Sequence, residues 1–317
     1  MTAMPNNAVV FAYHTVGVRG LATLLAHGFR VPLVVTHQDD PGENLWFDSV
    51  AAWADREGIP TMTPDSPNLP EVLARVSACQ PDFFFSFYYR HLLGTELLAV
   101  PTRGAYNLHG SLLPKYRGRV PINWAVLHGE RETGASLHQM VLKADAGDLV
   151  DQEAVAILPN DTAHMVFQKV VCAGERVLHR ALPRLLAGNA PHTPMNLAQG
   201  SCFGRRRPED GRIDWRAPAW TIHNLIRAVA PPYPGAFFEH GLHRIQVLAS
   251  HYRQEPAQGP TSESPRLYWE AGRCHVDCVD GERLLLPRLA IDGQPLDEQE
   301  FLRILGCSGI SLGMNGQ

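Results

Sequence analysis

The first half of the chain alternates short runs of β-branched or aromatic residues with stretches in which apolar residues recur at helical spacing. This alternation is typical of a parallel β-sheet whose strands are joined by crossover helices. It predicts strands at residues 8–14, 31–36, 60–62, 83–87 and 104–108. It predicts helices at residues 20–27, 47–57, 69–78 and 93–98. We therefore predict an α/β fold for this half.

Two further extended runs and a long helix complete the first predicted domain. The runs cover residues 134–142 and 148–157, and they flank the turn-rich tract KADAGD. The helix covers residues 162–186 and is expected to be capped near Asp161.

The pattern changes at about Cys202, after which short strands and one helix at residues 217–229 are predicted. Residues 254–265 are rich in Pro, Ser, Gln and Gly, which predicts an exposed loop. We predict two domains, residues 1–201 and residues 202–317, of which the second is smaller and β-rich.

The composition is that of an ordinary globular protein, which excludes disordered and fibrous classes. Of 317 residues, 45% are apolar and 19% are charged. Lys plus Arg (28) against Asp plus Glu (32) gives a net charge of −4. This balance does not favour a protein that follows phosphate backbones, and no nucleic-acid partner is expected.

The apolar stretches are short. The longest, at residues 8–13 and 83–89, fall far below the roughly 20 residues that a membrane-spanning helix needs. The first residues also lack the basic start and apolar middle of a secretory signal. No membrane span and a cytoplasmic location are therefore expected.

Six cysteines are spread along a chain that is too large to need disulfide bonds, so reduced thiols are expected. Cys274 and Cys278 could form half of a metal site, but no second pair of ligands accompanies them. Even spacing on a strand places both thiols on one face, and we predict no metal.

Ligands of parallel sheets bind at the carboxyl ends of the strands, so the loops there are the places to search for function. The loop at residues 13–20 has two glycines but no GxGxxG, which disfavours a nicotinamide enzyme. No GxxxxGK[ST], HExxH or GxSxG occurs, so phosphate-loop, zincin and hydrolase interpretations have no motif.

The informative tract is YNLHGSLLPKYRGR, at residues 106–119. Because side chains alternate along a strand, Asn107 and His109 are predicted to share one side at a strand end. An imidazole can exchange a proton near neutral pH, and an amide can donate to a developing oxyanion, as acyl transfer to an amine requires. Asp145, in a turn, could orient the imidazole and stabilise its charged form.

The same residues have structural alternatives. An Asn-x-His pair at a strand end can cap a loop, and Asp145 can be a simple turn former. The spacing of these residues does not decide between the two interpretations.

The wider pattern changes this. NLHGSLLPKYRG, followed by KADAGD, resembles the signature of the 10-formyltetrahydrofolate-dependent formyltransferases. Further segments look like the formyltransferase domain of the bifunctional polymyxin-resistance enzymes, which act on UDP-4-amino-4-deoxy-L-arabinose: VVFAYHTVGVRG, THQDDPGENLWFDSVAAWA, FSFYYRHLL, RGRVPINWAVLHGERETGASLHQMVLKADAGD, SCFGRRRPEDG and RAVAPPYPGAFF. The resemblance implies a Rossmann-like parallel-sheet catalytic domain and a smaller β-rich, OB-like domain.

The resemblance also implies roles for residues. Asn107, His109 and Asp145 correspond to the family's catalytic trio. The implied folate contacts are His91, Leu92, Leu93, Arg119, Val141, Leu142, Lys143 and Ala144. Leu92, Leu93 and Val141 could instead pack in the core, and Arg119 could form a surface salt bridge.

The implied reaction is direct formyl transfer without a metal. A neutral sugar amine attacks the formyl carbon of 10-formyltetrahydrofolate, while Asn107 and protonated His109 stabilise the oxyanion. The resemblance implies a UDP-linked amino sugar as partner, in lipid A modification and polymyxin resistance. The bifunctional enzymes continue into a decarboxylase domain, so a separate decarboxylase polypeptide is expected here. The basic run at residues 205–207 could face a nucleotide diphosphate or could be a solvated surface.

Alternative functions remain open. Methionyl-tRNA formyltransferases share the trio and the two-domain layout, although the acidic balance and the Tyr13-His14 pair in the first loop disfavour them. N-formyltransferases of other nucleotide-linked amino sugars share the same chemistry. A folate-binding module without turnover and a formyl-folate hydrolase are further alternatives.

Overall fold

The computed structural model describes residues 6–256 and 264–312. The chain divides into two compact units. Unit 1 contains Met1–Pro121, Thr133–Val155 and Gln168–Gly204, and unit 2 contains Ile122–Glu132, Ala156–Phe167 and Arg205–Gln317. The sequence-based domain boundary after residue 201 stays a prediction. None of the helices in the described part of the chain has both the length and the hydropathy that crossing a membrane requires.

The described residues form both strands and helices. The strands are β1 (Asn7–Ala12), β2 (Arg30–Val35), β3 (Thr61–Met62), β4 (Phe83–Phe87), β5 (Gly104–His109), β6 (Arg117–Gly118), β7 (Glu132–Gln139), β8 (Leu149–Ala156), β9 (Cys202–Phe203), β10 (Ala236–His240), β11 (His243–Pro256), β12 (Arg266–Glu270), β13 (Arg273–Asp277), β14 (Glu282–Ile291), β15 (Gln294–Pro295) and β16 (Gly309–Ser311). The helices are α1 (His14–Ala26), α2 (Val50–Arg56), α3 (Pro70–Ser77), α4 (Thr95–Leu98), α5 (Pro121–Leu127), α6 (Ala163–Ala187), α7 (Ala219–Val229) and α8 (Glu298–Leu305).

A seven-stranded sheet, in the order β3-β2-β1-β4-β5-β7-β8, forms the centre of unit 1. Strands β1 to β5 pair in parallel, which confirms the predicted Rossmann-like sheet, whereas β7 pairs antiparallel with β5. Every side chain of β4 is buried, as expected for a strand covered on both faces. The chain leaves β1 towards β2 and later returns to β4 on the other side. Such a reversal places a ligand crevice at the carboxyl ends of β1 and β4.

Helix α1 begins at His14 rather than at residue 20, and the preceding strand ends at Ala12 rather than at residue 14. The chain turns here because His14 has a φ of +69°. Gly17 and Gly20 lie in the segment that the sequence predicts as a loop, but in the structure they allow α1 to pack closely against its neighbours. A Cβ atom on Gly20 would lie 2.5 Å from the ring of Phe87. This close approach explains why a helical segment contains glycine.

Unit 2 is built on an antiparallel sheet in the order β10-β11-β14-β13-β12-β16, as expected for a β-rich domain. Helix α7 packs its apolar face against this sheet, with Ile222 and Ile226 in the core. Cys274 and Cys278 lie in the same apolar core, and burial raises the pKa of the Cys278 thiol to about 12. Both thiols therefore serve packing.

The loop predicted at residues 254–265 is partly wrong. Strand β11 continues to Pro256, because Glu255 and Pro256 pair with Arg283 and Glu282 of β14. The central part of that prediction, residues 257–263, lies outside the described residues.

His223 on α7 is completely buried between two partners in unit 2. Its Nε2 lies 2.9 Å from the carbonyl oxygen of Pro159, and its Nδ1 lies 2.7 Å from the Ser250 hydroxyl. A carbonyl only accepts, so Nε2 carries the proton and Nδ1 accepts from Ser250. Burial lowers the pKa of His223 to about 4, although its bond to the Pro159 carbonyl acts in the opposite direction.

We expect this histidine to make unit 2 acid-sensitive. The unfolded chain binds a proton at His223 below about pH 6.5, but the folded chain binds it only below about pH 4. The free energy of unfolding therefore decreases as the pH falls from about 6.5 to about 4. Between pH 7 and pH 5 the loss is about 2 kcal/mol in the free energy of unfolding. Urea titrations at both pH values measure it. His223→Gln should lack this loss and His240→Gln should retain it; equal losses in the two variants would contradict the assignment.

Candidate active site

The candidate active site lies in unit 1, at the end of β5. Asn107 and His109 are the third-last and last residues of this strand and lie on the same side of the sheet, as alternation predicts. Asn107 pairs with His138 across the β5–β7 ladder, and His109 pairs with Ser136. The strand pairing therefore fixes which side chains of β7 lie beside the two predicted residues.

His109 is almost fully buried, with 6% of its surface exposed, and both ring nitrogens face acceptors. Its Nε2 lies 2.8 Å from the carbonyl oxygen of Tyr116, and its Nδ1 lies 3.5 Å from Oδ1 of Asp145. A carbonyl and a carboxylate accept hydrogen bonds and donate none. The surroundings of His109 therefore suit an imidazolium ion with a proton on each nitrogen.

The Asp145 carboxylate contacts two histidines and a backbone amide. Its Oδ2 accepts a hydrogen bond of 2.8 Å from the Gly118 N–H, and its Oδ1 also lies 3.4 Å from Nε2 of His138. Burial by itself raises the pKa of this carboxyl. The charge of His109 and the Gly118 hydrogen bond act in the opposite direction, and the pKa of Asp145 lies well below its ordinary value. Asp145 is therefore ionised at every pH near neutrality.

The segment between β5 and α5 is held in an unusual backbone conformation. Tyr116 and Val120 in this segment have positive φ angles of 56° and 46°, in the left-handed region that non-glycine residues rarely adopt. Asp145, in the turn after β7, has a positive φ angle of 50° as well. Ser136 anchors the start of the segment, because its hydroxyl donates to the carbonyl of Ser111 and accepts from the N–H of Leu113. Backbone strain of this kind is concentrated at functional sites.

His138 is the site residue that sequence analysis missed. Its Nε2 lies 3.1 Å from Nδ2 of Asn107, and its Nδ1 lies 2.8 Å from the carbonyl oxygen of Gln139. One sequence signal was available, since Ser136 and His138 are two residues apart and therefore share one face of the predicted strand at residues 134–142. Finding it, however, requires the register between β5 and β7.

The predicted folate contacts lie on segments that differ in exposure. Leu92 and Leu142 are 66% and 68% exposed, and Val141 is also exposed. Leu93 is buried in the apolar core of unit 1. His91, Lys143 and Ala144 are exposed as well. Leu92 and Val141 therefore do not pack in the core, whereas Leu93 does.

A network of polar groups fixes the segment after β4. The N–H of Arg90 donates to Nε2 of His37 over 2.9 Å, and the Arg90 guanidinium makes two hydrogen bonds to the Glu43 carboxylate. Burial lowers the pKa of His37 to about 4, which keeps this ring a neutral acceptor. The carbonyl of Arg90 accepts from the guanidinium of Arg119 over 3.2 Å. Arg119 is thus tied to this segment rather than to an acidic side chain.

The arrangement combines an amide donor, an imidazole and an ionised carboxylate beside it at the end of β5. Amide and imidazolium N–H groups can stabilise negative charge that develops on a carbonyl oxygen. The imidazole can also transfer a proton. Among the described residues, no three His, Cys, Asp or Glu side chains are grouped so that they could hold a metal ion.

Comparison with sequence families agrees with this chemistry. The profile of the formyl transferase family matches residues 23–182, and that of the formyl transferase C-terminal domain matches residues 206–306. The chain therefore belongs to the formyl transferase family, and it is an enzyme of that class.

Solved structures share the fold. An N-formyltransferase from Helicobacter canadensis, in complex with folinic acid and dTDP-3-aminofucose, is 21% identical, with a TM-score of 0.70 over 90% of this chain and 99% of that chain. The sugar 3N-formyltransferase WlaRD, solved in the presence of dTDP and 5-N-formyl-tetrahydrofolate, is 20% identical, with a TM-score of 0.72 over 93% and 99%. The methionyl-tRNA formyltransferase from Clostridium thermocellum is 14% identical, with a TM-score of 0.55 over 79% and 94%. At these identities the likeness concerns the fold.

Proposed function

We propose that the protein transfers the formyl group of 10-formyltetrahydrofolate to the amine of a nucleotide-linked amino sugar. The proposed acceptor is UDP-4-amino-4-deoxy-L-arabinose, and the proposed role is lipid A modification and polymyxin resistance. One observation carries the proposal. The Asn107 amide, the His109 ring and the Asp145 carboxylate meet at the end of β5, through contacts of 3.1 to 3.5 Å that include His138.

The chain supplies stabilisation of charge and movement of protons, while 10-formyltetrahydrofolate supplies the activated formyl carbon. The Asn107 amide donates to the oxygen that becomes negative as the sugar amine attacks, and the positive charge of a protonated His109 stabilises the same oxygen. To move a proton between the incoming amine and the departing nitrogen, His109 exchanges the contact of its Nε2 with the Tyr116 carbonyl for one with the substrate. Asp145, which stays ionised, keeps the His109 ring in orientation and balances its positive charge.

The segments around the trio are suited to a folate. Leu92, Val141 and Leu142 expose apolar surface that a pteridine or benzoyl ring would cover. Arg119 is an exposed cation that can pair with the glutamate carboxylates of folate. His91, Lys143 and Ala144 flank these residues in the chain and belong to the same proposed surface. Leu93 contributes through packing beneath it.

The nucleotide sugar is supported by the comparisons and by sequence. The Helicobacter canadensis enzyme and WlaRD carry a dTDP-sugar or dTDP. The segments that resemble the polymyxin-resistance enzymes favour UDP-4-amino-4-deoxy-L-arabinose. Within unit 2, Arg206 lies over the Trp124 ring at 4.9 Å and donates to the Asp210 carbonyl. Arg205 and Arg207 have exposed side chains, and they are the better candidates for binding a diphosphate.

An acceptor panel tests the function. The purified protein is incubated with 10-formyltetrahydrofolate and one of four acceptors: UDP-4-amino-4-deoxy-L-arabinose, a dTDP-linked 3-amino sugar, a GDP-linked amino hexose or methionyl-tRNA. Mass spectrometry of the products shows which acceptor gains a formyl group. We expect the UDP-sugar to gain a formyl group. Formylation of another amino sugar alone would change the acceptor but not the chemistry. Formylation of tRNA alone, in a reaction that high salt suppresses, would contradict the proposal.

A further inference from the structure

We propose that His138 is a positioning residue that sets the orientation of the Asn107 amide. The inference rests on the proposed function, because it assigns His138 a task in the same site. His138 lies opposite Asn107 in the β5–β7 ladder, and its side chain is 2% exposed. The ring contacts Asn107 and Asp145 and is nearly inaccessible to solvent, so its effect on the reaction passes through Asn107.

The hydrogen-bond partners define the protonation of the ring. The carbonyl of Gln139 is 2.8 Å from Nδ1 and can only accept, so Nδ1 carries a proton. Nε2 then either carries no proton and accepts from Asn107, or carries one and donates to Asp145. It cannot do both at once. Nε2 lies 3.1 Å from the Asn107 amide nitrogen but 3.4 Å from Oδ1 of Asp145, which His109 also faces, and we therefore assign His138 a bare Nε2 that accepts from Asn107.

A bare Nε2 selects one orientation of the amide. An asparagine can place its NH₂ or its carbonyl oxygen towards a neighbour, because the two orientations have nearly the same shape. Only the NH₂ group can donate to Nε2, and this group has a second hydrogen. That second hydrogen remains available for the oxyanion. With the amide turned over, its carbonyl oxygen would face the developing charge and repel it.

Substitutions test whether His138 acts through Asn107. His138→Leu removes the acceptor, and we expect kcat to fall by about 10- to 100-fold with little change in KM, which is less than the about 10²- to 10³-fold cost of removing a donor. His138→Gln can still accept through its side-chain oxygen and should recover most of the activity. In an Asn107→Ala background, His138→Leu should cost nothing further. A multiplicative loss in that background, or full activity of His138→Leu, would overturn the proposal.

A second measurement does not depend on activity. In ¹⁵N-histidine-labelled protein, His138 should show a protonated Nδ1 and an unprotonated Nε2, with assignment by comparison with His138→Gln. The reverse tautomer, or a doubly protonated ring at neutral pH, would overturn the inference even if His138→Leu failed to fold. The two proposals also fail differently. If the unmodified protein formylates no acceptor, the function is wrong, whereas activity that is insensitive to His138 leaves the function intact.

Discussion

Replacing His109 with glutamine is expected to lower kcat by about 10²- to 10⁴-fold, the range that general acid–base groups contribute. The glutamine amide can keep the hydrogen bond to the Tyr116 carbonyl that Nε2 makes in the native protein. It cannot, however, take up or release a proton near neutral pH. Steady-state kinetics with the acceptor from the panel measure this loss, and KM for the folate should change little.

The matched control is His192→Gln. His192 also contacts a backbone carbonyl, that of Ala190, and its Nε2 lies 3.1 Å from the Tyr106 hydroxyl, but its side chain is exposed and its contacts are with neither Asn107, His109 nor Asp145. Its variant should keep nearly full activity, and both variants should unfold at nearly the native temperature. A kcat of His109→Gln within about tenfold of the native value would remove His109 from the proton transfer.

The second large effect is expected for Asn107→Ala, at about 10²- to 10³-fold in kcat, the usual cost of losing one oxyanion donor. The side chain of Asn107 makes its observed bond to His138, and strand pairing holds its backbone. The variant should therefore fold. Because the amide is proposed to act on charge that exists only during reaction, the loss should fall on kcat rather than on KM.

Asn196→Ala serves as its control. Asn196 accepts from the Ala198 N–H with its side chain, at the start of a short 3₁₀ turn. Its loss should leave kcat unchanged. If Asn107→Ala raised KM while kcat stayed native, Asn107 would be a binding residue and the mechanism would need a different donor.

Much of the fold and part of the site follow from local pattern. Strand β4 coincides with the predicted residues 83–87, because a short, aromatic-rich run of buried residues is typical of a strand in the centre of a sheet. The long helix matches its prediction within one residue at each end, and the cap expected near Asp161 is Thr162, whose hydroxyl accepts from the Met165 N–H. Alternation on β5 also correctly placed Asn107 and His109 on one side.

The remaining site features depend on contacts distant in the chain. Asp145 meets His109 because the turn after β7 brings it back to β5, a contact that the turn residues alone cannot specify. His138 becomes recognisable only once β5 and β7 are paired in register. The early start of α1 likewise includes Gly17, which lies against Val50, a packing relation that glycine in a sequence does not reveal.

The most direct test of the proposed chemistry follows a ¹³C-labelled formyl group. The protein is incubated with labelled 10-formyltetrahydrofolate and UDP-4-amino-4-deoxy-L-arabinose, and the label is located by NMR. We expect the label to become a formamide on the sugar nitrogen, in a 1:1 ratio with released tetrahydrofolate. Without an acceptor, we expect no turnover of the folate. Labelled formate released at the same rate with or without the sugar would contradict it.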